Sequence, residues 1–435
     1  MHTAKKLRVT LGALFSAALV ASCSSGGDGD VHAADSAVPT SASGAPPAEP
    51  AEEAASRPPS AFAPDAFTLT DSAYTSGTPV ILHDRNAYVA SESSLTTVDL
   101  ASRRTLGKVT PEHPLLHAPP AAGNPAAIEA YSAKRPMVGE PVFTEINGVQ
   151  VALAGFAVSG VGEPAGPGVE LVAVDRGTGQ EVWRFSFAVA QWKSSPPKST
   201  ASVDIVGVAN GVAVLRANHD SKVTGSYGVS LAGPKLAWSN PDFHALGVDG
   251  DVVAGMAFTE GMRLTGLRVA DGSSRVWQDS AQRSCTTIGT IGPWLKTGEK
   301  VDGNEVTRLV RIATQEPFAA LGDALTADAN CDHDADAAIV VCTEGERATA
   351  ADAATGTQLW SRPAAGADAW TGKVTATFQG LLYVEDSAKN ASRVVDARTG
   401  EVVQTAPGIA PVVVNEHFGV VHNGARITAH AAATP

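Results

Sequence analysis

Four cysteines, eleven histidines and one dense run of aspartates are the side chains of this 435-residue chain that could do chemistry. Cys23 follows Leu19-Val20-Ala21-Ser22. A thiol there can be alkylated to a thioether, and small Ala21 and Ser22 leave the preceding peptide bond open to a peptidase. Cys331 precedes the turn Asp332-His333-Asp334-Ala335-Asp336, and Cys342 ends the apolar run beyond it. That spacing puts the two on adjacent antiparallel strands, where Cβ atoms can reach disulfide distance. Cys285–Cys331, or no bridge, are the competing arrangements. With 331 and 342 joined, Cys285 is left as a small buried hydrophobe. Asp332, Asp334 and Asp336 alternate as hard-oxygen ligands for Ca²⁺ do, but no glycine takes the sharp-turn place and Thr343 stands where a bidentate Glu is needed. A solvated turn accounts for them better, and no metal site is assigned. No His-x-x-x-His, Gly-x-Ser-x-Gly, phosphate loop or Cys-x-x-Cys occurs. His83, His219, His244, His417 and His422 fall near predicted strand ends, where a lone His is more often a satisfied polar group than a base.

The elements that must position these groups come from a repeated phrase. Ala173-Val-Asp175-Arg-Gly-Thr178-Gly179-Gln-Glu-Val-Trp183 returns as Ala350-Ala-Asp352-Ala-Ala-Thr355-Gly356-Thr-Gln-Leu-Trp360. A weaker copy carries Asp396, Thr399 and Gly400 and ends on Gln404. Each reads strand, tight turn, strand. The Trp place is held in turn by Trp183, Trp238, Trp277, Phe318, Trp360 and Gln404, roughly 40–55 residues apart, the length of a four-stranded propeller blade. Gly211–Leu215, Asp251–Ala254, Ala338–Val341 and Leu381–Val384 are apolar throughout, as second strands buried on both faces must be. Asn86–Ala90 and Thr96–Leu100 open a first blade. After Val412–Val414, Phe418–Val421 and Ala425–Ala429 the chain stops one strand short, and Ala66–Thr70 can supply it. Shared closure of this kind leaves no raw edge. The expectation is an all-β, eight-bladed propeller of antiparallel four-stranded blades, or seven-bladed if the first is misread, over residues 65–435.

The Ala-x-Asp-x-x-Thr-Gly-x-x-x-Trp phrase resembles the tryptophan-docking motif of PQQ-like, quinoprotein-type β-propellers. The resemblance implies that each Trp packs on the turn of the next blade, so the motif residues staple blades and perform no reaction. It also raises a PQQ-dependent sugar or alcohol dehydrogenase with Ca²⁺ as an alternative, and an envelope assembly scaffold as another. The alcohol-dehydrogenase branch carries vicinal cysteines and a haem Cys-x-x-Cys-His, and this chain has neither. The primary expectation is a non-enzyme with no cofactor.

Lys5, Lys6 and Arg8 precede an apolar Leu11–Val20, too short to span a bilayer and suited to an export signal. With Cys23 it resembles a bacterial lipoprotein signal: residues 1–22 are the signal peptide and Cys23 the lipidation site. Residues 23–64 are rich in Ala, Pro, Ser, Gly and acids, with too little apolar surface to offset chain entropy, and are expected to be a disordered tether. Removing residues 1–22 takes away three cations and no acid, so the formal charge of −13 becomes more negative. That sign disfavours nucleic acid. The composition suggests an actinobacterial source. Between blades 1 and 2, residues 111–145 form the largest non-repeat piece, with His113, His117 and a stretch from Pro125 to Arg135 that could be helical; long insertions on rigid repeats often carry binding. The expected protein is a monomer on the outer face of the cell membrane, held only by its N-terminal lipid. Its partner is an unidentified envelope protein or small ligand.

Overall fold

The structure is a computed structural model. It describes residues 57–433 except 71–78, 117–138, 195–200, 220–221, 260, 280–283, 302–303, 319–324, 326–328, 346, 363–371, 387–390 and 424–425. Cys23, His117, the stretch from Pro125 to Arg135 and most of the expected tether lie outside them.

The strands follow chain order. β1 (Phe62–Thr70) precedes blade 1, made of β2 (Val80–His83), β3 (Asn86–Ala90), β4 (Leu95–Asp99) and β5 (Arg104–Val109). Blade 2 is β6 (Val142–Ile146), β7 (Val149–Val161), β8 (Gly166–Asp175) and β9 (Glu181–Ala188), followed by a 3₁₀ turn at Ala190–Ser194. Blade 3 holds β10 (Ala201–Ala209), β11 (Val212–His219), β12 (Lys222–Ser230) and β13 (Lys235–Asn240). Blade 4 holds β14 (Phe243–Asp249), β15 (Val252–Ala257), β16 (Arg263–Arg268) and β17 (Arg275–Gln278). In blade 5, β18 (Ser284–Ile291), β19 (Trp294–Val301) and β20 (Asn304–Arg311) pair in order, and among the described residues the fourth position is taken by bridges from β20 to Pro317 and Leu325. Blade 6 is β21 (Asn330–Asp334), β22 (Ile339–Glu344), β23 (Arg347–Asp352) and β24 (Gln358–Arg362). Blade 7 is β25 (Lys373–Phe378), β26 (Leu381–Asp386), β27 (Ala391–Asp396) and β28 (Val402–Gln404). Blade 8 sets β29 (Val413–Val414), β30 (Phe418–Asn423) and β31 (Arg426–Ala432) beside β1, which is its outermost strand. The molecule is an eight-bladed β-propeller.

Within each blade the strands run as an antiparallel meander. First-to-second and third-to-fourth turns therefore share one face, the turn face. Second-to-third hairpins and blade-to-blade links share the other, the crossover face. Turn-face reversals need left-handed backbone, and Asn147-Gly148 and Asn210-Gly211 supply it with positive φ at both residues. The core is a series of seams between neighbouring blades, lined by the second and third strands. Val214 and Val253 pack in the seam between blades 3 and 4, for example, and Val341 and Leu382 in that between 6 and 7.

β1 begins four residues before the expected Ala66. Phe62 pairs with Ala432, its amide donates to the Pro407 carbonyl at 2.8 Å, and the Ala433 amide donates to the Ala61 carbonyl at 2.9 Å. The Phe62 ring is buried against Tyr383 of blade 7, with centroids 5.8 Å apart. Residues 59–62 thus stand in for the third-to-fourth turn that blade 8 lacks.

Candidate functional site

In the repeated phrase, each Asp folds its own turn. Asp175 Oδ1 accepts from the Gly177 and Thr178 amides and from Thr178 Oγ1, at 2.7–3.0 Å. Asp352 does the same with Ala354 and Thr355, and Asp396 takes the amides of Arg398 and Thr399. Hydrogen bonds from the Thr side chain and backbone hold the Asp175 carboxyl below its ordinary range. The chain then turns through positive φ at Gly179, Gly356 and Gly400.

Each Trp lies on the next blade. Trp238 Nε1 donates to the Val269 carbonyl at 2.7 Å, Trp277 Nε1 to Ile312 at 2.8 Å and Trp360 Nε1 to Ala397 at 2.9 Å. The cross-strand partner beneath the ring is small: Ala173, Gly228, Gly266 and Ala350 face Trp183, Trp238, Trp277 and Trp360. A Cβ on Gly228 or Gly266 would run into the indole. Blade 1 inverts the arrangement. Gly107 takes the Trp place opposite Thr97, and the Gly179 turn closes directly on both. Trp183 is the exception among the Trp residues at this repeated place. It is buried, yet Nε1 has no hydrogen-bond partner among the described residues. Blade 3 offers Leu231-Ala-Gly-Pro234 where blades 1, 2 and 4–7 carry a left-handed residue before the fourth strand, and no acceptor among the described residues reaches the Trp183 indole.

Cys331 and Cys342 are directly opposite in β21 and β22 and are disulfide-bonded, with Cα atoms 4.0 Å apart. Cys285 is in β18 at a position whose side chain is outside the described residues. Asp334 is buried. Its Oδ1 accepts from the Ala337 amide at 3.0 Å and its Oδ2 from the Gly380 amide of blade 7 at 2.7 Å. Asp332 accepts from the His333 amide at 2.9 Å, and burial pushes its carboxyl up. The aspartate run therefore latches blade 6 to blade 7. Among the described residues no three His, Cys, Asp or Glu side chains converge to hold a metal ion.

The histidines divide between the faces. His83 and His417 are at the turn face. His83 Nε2 is 3.1 Å from Asp84, and its imidazole is lowered by burial and then by Arg176. His219, His244 and His422 are toward the crossover face, where burial also lowers His422.

On the crossover side of blades 2 to 4, two polar sets emerge, around Asp204 with Arg216 and around Glu170, that sequence reading missed. In blade 3, Asp204 Oδ2 accepts from Arg216 Nε at 3.0 Å, Arg216 Nη2 at 2.7 Å and Asn218 Nδ2 at 3.0 Å. Asn218 also reaches Ser202 Oγ at 3.2 Å. On β14 of blade 4, burial and then the Arg216 cation pull the His244 imidazole down to about 4, and its buried Nε2 has no partner among the described residues. Gly139, entering blade 2, is so close to Val203 and Asp204 that a Cβ would clash with their backbone. The second set clamps the 111–145 insertion. Glu170 is 0% exposed and accepts from the Glu112 amide at 2.7 Å, the His113 amide at 3.1 Å, His113 Nδ1 and Arg184. Leu116 then donates to the Ala157 carbonyl at 3.0 Å, adding backbone to the edge of β7. The available signal was a charge inside an apolar strand, as in Leu215-Arg216-Ala217 and Val169-Glu170-Leu171.

Chemically, the mouth of blades 3 and 4 offers a fixed ion pair, an amide and a neutral imidazole. That is a hydrogen-bonding set without a carboxylate positioned to relay a proton through His244. Arg216 is already engaged by Asp204.

No family model matches the chain, and no curated protein matches it. Among solved structures, BamB from Moraxella catarrhalis is similar at 13% identity and a TM-score of 0.45, covering 85% of this chain and 98% of that one. The Cps50 β-propeller domain of Myceliophteria thermophila is similar at 8% identity and a TM-score of 0.39, over 86% of this chain and 100% of that one. Apo AztD from Citrobacter koseri is similar at 14% identity and a TM-score of 0.37, over 82% and 90%. The eight-bladed β-propeller is defined by the sheets themselves.

Proposed function

We propose that this chain is the head of a lipid-anchored, extracytoplasmic propeller of the PQQ-like type, which binds an envelope protein or a small ligand without turning it over. The observation that carries the reading is where the polar side chains are engaged. The Asp and Thr of the repeats fold their own turns and the Trp residues join blades, while the inner-strand set at Asp204, Arg216, Asn218 and His244 is ion-paired and neutral-imidazole, suited to holding and not to proton transfer. The Leu19-to-Cys23 sequence supports the lipid anchor. Two measurements test it. Cys23→Ala should release the protein from membranes without lowering its melting temperature; retention after a salt wash would place the anchor elsewhere. The purified head, supplied with PQQ and Ca²⁺ and a panel of alcohols and sugars, should reduce no artificial electron acceptor. Saturable PQQ binding with substrate-dependent reduction, lost in His244→Gln, would replace this reading with a dehydrogenase.

A further inference from the structure

We infer that the turn-face end of the seam between blades 1 and 2 binds a carboxylate, received by the Arg176 guanidinium. This is a second site, on the opposite face from the polar set at the mouth of blades 3 and 4, and it depends on neither that set nor the lipid anchor.

The repeat fixes what position 176 is for. In blades 1 to 7 the residue just past the third strand donates its amide to a carbonyl at or just before the start of the second strand. In six of these blades that residue is apolar and buried: Leu100, Leu231, Val269, Ile312, Ala353 and Ala397. In blade 2 it is Arg176, half-buried. An apolar side chain at this place meets the needs of blade packing six times over, so packing does not call for a cation.

The guanidinium is held in place and left unpaired. Its Cζ stands 5.5 Å from the centroid of the Phe143 ring, and Tyr88 and His83 meet that ring edge-on at 5.3 and 5.7 Å. The Arg176 carbonyl accepts from Asn86 Nδ2 at 3.2 Å and from Tyr88 Oη, which fixes the backbone beneath the side chain. Neighbouring carboxylates are engaged elsewhere: Asp175 with Thr178, Asp84 with His83 at 3.1 Å, and Glu416 with Gln379 Nε2 at 3.1 Å. Among the described residues none pairs with Arg176, whereas Arg184, Arg216 and Arg311 each hold a carboxylate. A guanidinium stacked on a ring keeps its N–H donors in one plane, the fork that takes both oxygens of a carboxylate. The surroundings also limit the charge of the guest. Burial and then Arg176 lower the His83 imidazole while Asp84 and Glu416 raise it, so all three charges act on one small region. A singly charged carboxylate meets less repulsion there than a phosphate, which carries close to two charges.

The test labels arginines of the purified full-length protein with phenylglyoxal and reads each site by peptide mass spectrometry. The probes are acetate and N-acetyl-trialanine with a free C-terminal carboxylate. Its C-terminal amide, sodium chloride and phosphate at equal ionic strength are the comparisons. The expected result is saturable, several-fold slower labelling of Arg176 with either carboxylate, and no change at exposed Arg103. Equal slowing by the peptide acid and its amide, slowing no greater than with chloride, or stronger slowing by phosphate overturns the inference. Tighter protection by the peptide acid than by acetate makes a polypeptide C-terminus the source, and equal protection makes it a small organic acid. Arg176→Leu gives blade 2 the residue type of its neighbours, so it should melt no lower than the parent and lose the rise in melting temperature that the peptide acid produces. A fall of several degrees in Arg176→Leu makes the guanidinium a packing element and overturns the inference too. No outcome here bears on membrane release of Cys23→Ala or on the quinone assay.

Discussion

Trp183 and Trp238 form a natural matched pair, because they are 9% and 8% exposed, lie on the outer strands of adjacent blades and face small cross-strand residues. They differ in one bond. Trp238 Nε1 donates to the Val269 carbonyl at 2.7 Å, and Trp183 Nε1 is buried without an acceptor. Replacing either by Ala empties a buried aromatic site and should cost about 3–5 kcal/mol. Replacement by Phe separates ring from bond. In Trp238→Phe the smaller ring leaves a modest void and the buried Val269 carbonyl loses its donor, a change of about 1–3 kcal/mol. In Trp183→Phe the void is similar, but an unsatisfied donor is removed, and relief of its desolvation offsets the lost packing. The expected difference is about 2 kcal/mol, with Trp183→Phe close to neutral. Urea unfolding followed by far-UV circular dichroism measures it, since fluorescence changes with each Trp removed. Equal costs for the two Phe variants, or a larger cost at Trp183, would refute the account of the blade 3 turn.

Three further outcomes follow from the same geometry. Phe62→Ala should destabilise the head by about 3–4 kcal/mol, and deletion of residues 57–70 by far more, because the first empties a buried site and the second opens the ring; thermal unfolding of both checks this. Asp334→Ala should cost about 1–3 kcal/mol by orphaning the Gly380 and Ala337 amides, with hydrogen exchange at Gly380 rising first. On acidification, the His244 imidazole stays neutral in the folded head down to about 4 while the unfolded chain takes up its proton near 6.5. Stability is therefore lost as pH falls through that window, and His244→Gln should flatten the slope. Asp271, held near 2 by Ser274 and Ser273, acts lower: its contribution is full above 3.8 and disappears toward 2.

The fold was legible because repetition multiplies a weak signal. One Asp-Thr-Gly turn says little, but copies at Asp175, Asp352 and Asp396, with Trp places between them, set blade length and count. Closure by the N-terminal strand followed from a missing fourth strand. Its extension to Phe62 did not, because bulged strands such as 62–66 lose alternation. Arg216 and Glu170 escaped for a different reason. Their partners come from other strands or a remote linker, and a single charge in an apolar run does not say what neutralises it. The unbonded Trp183 indole depends on a turn in the next blade, which no reading of its own repeat contains.

The union of β1 with β31 also sets the order in which the protein can be made. His430 Nδ1 donates to the Ala63 carbonyl at 3.1 Å across 367 residues of chain, so a strand made before the seven intervening blades joins one made after them. No blade sequence completed along the way can close the circle, and folding of so non-local a contact is slow. Until the final strand arrives, β1 is an unpaired edge able to pair with any other exposed strand. A chain cut short before Ala432 thus ends with two open edges, which makes aggregation or proteolysis its fate and biogenesis of the head all-or-none.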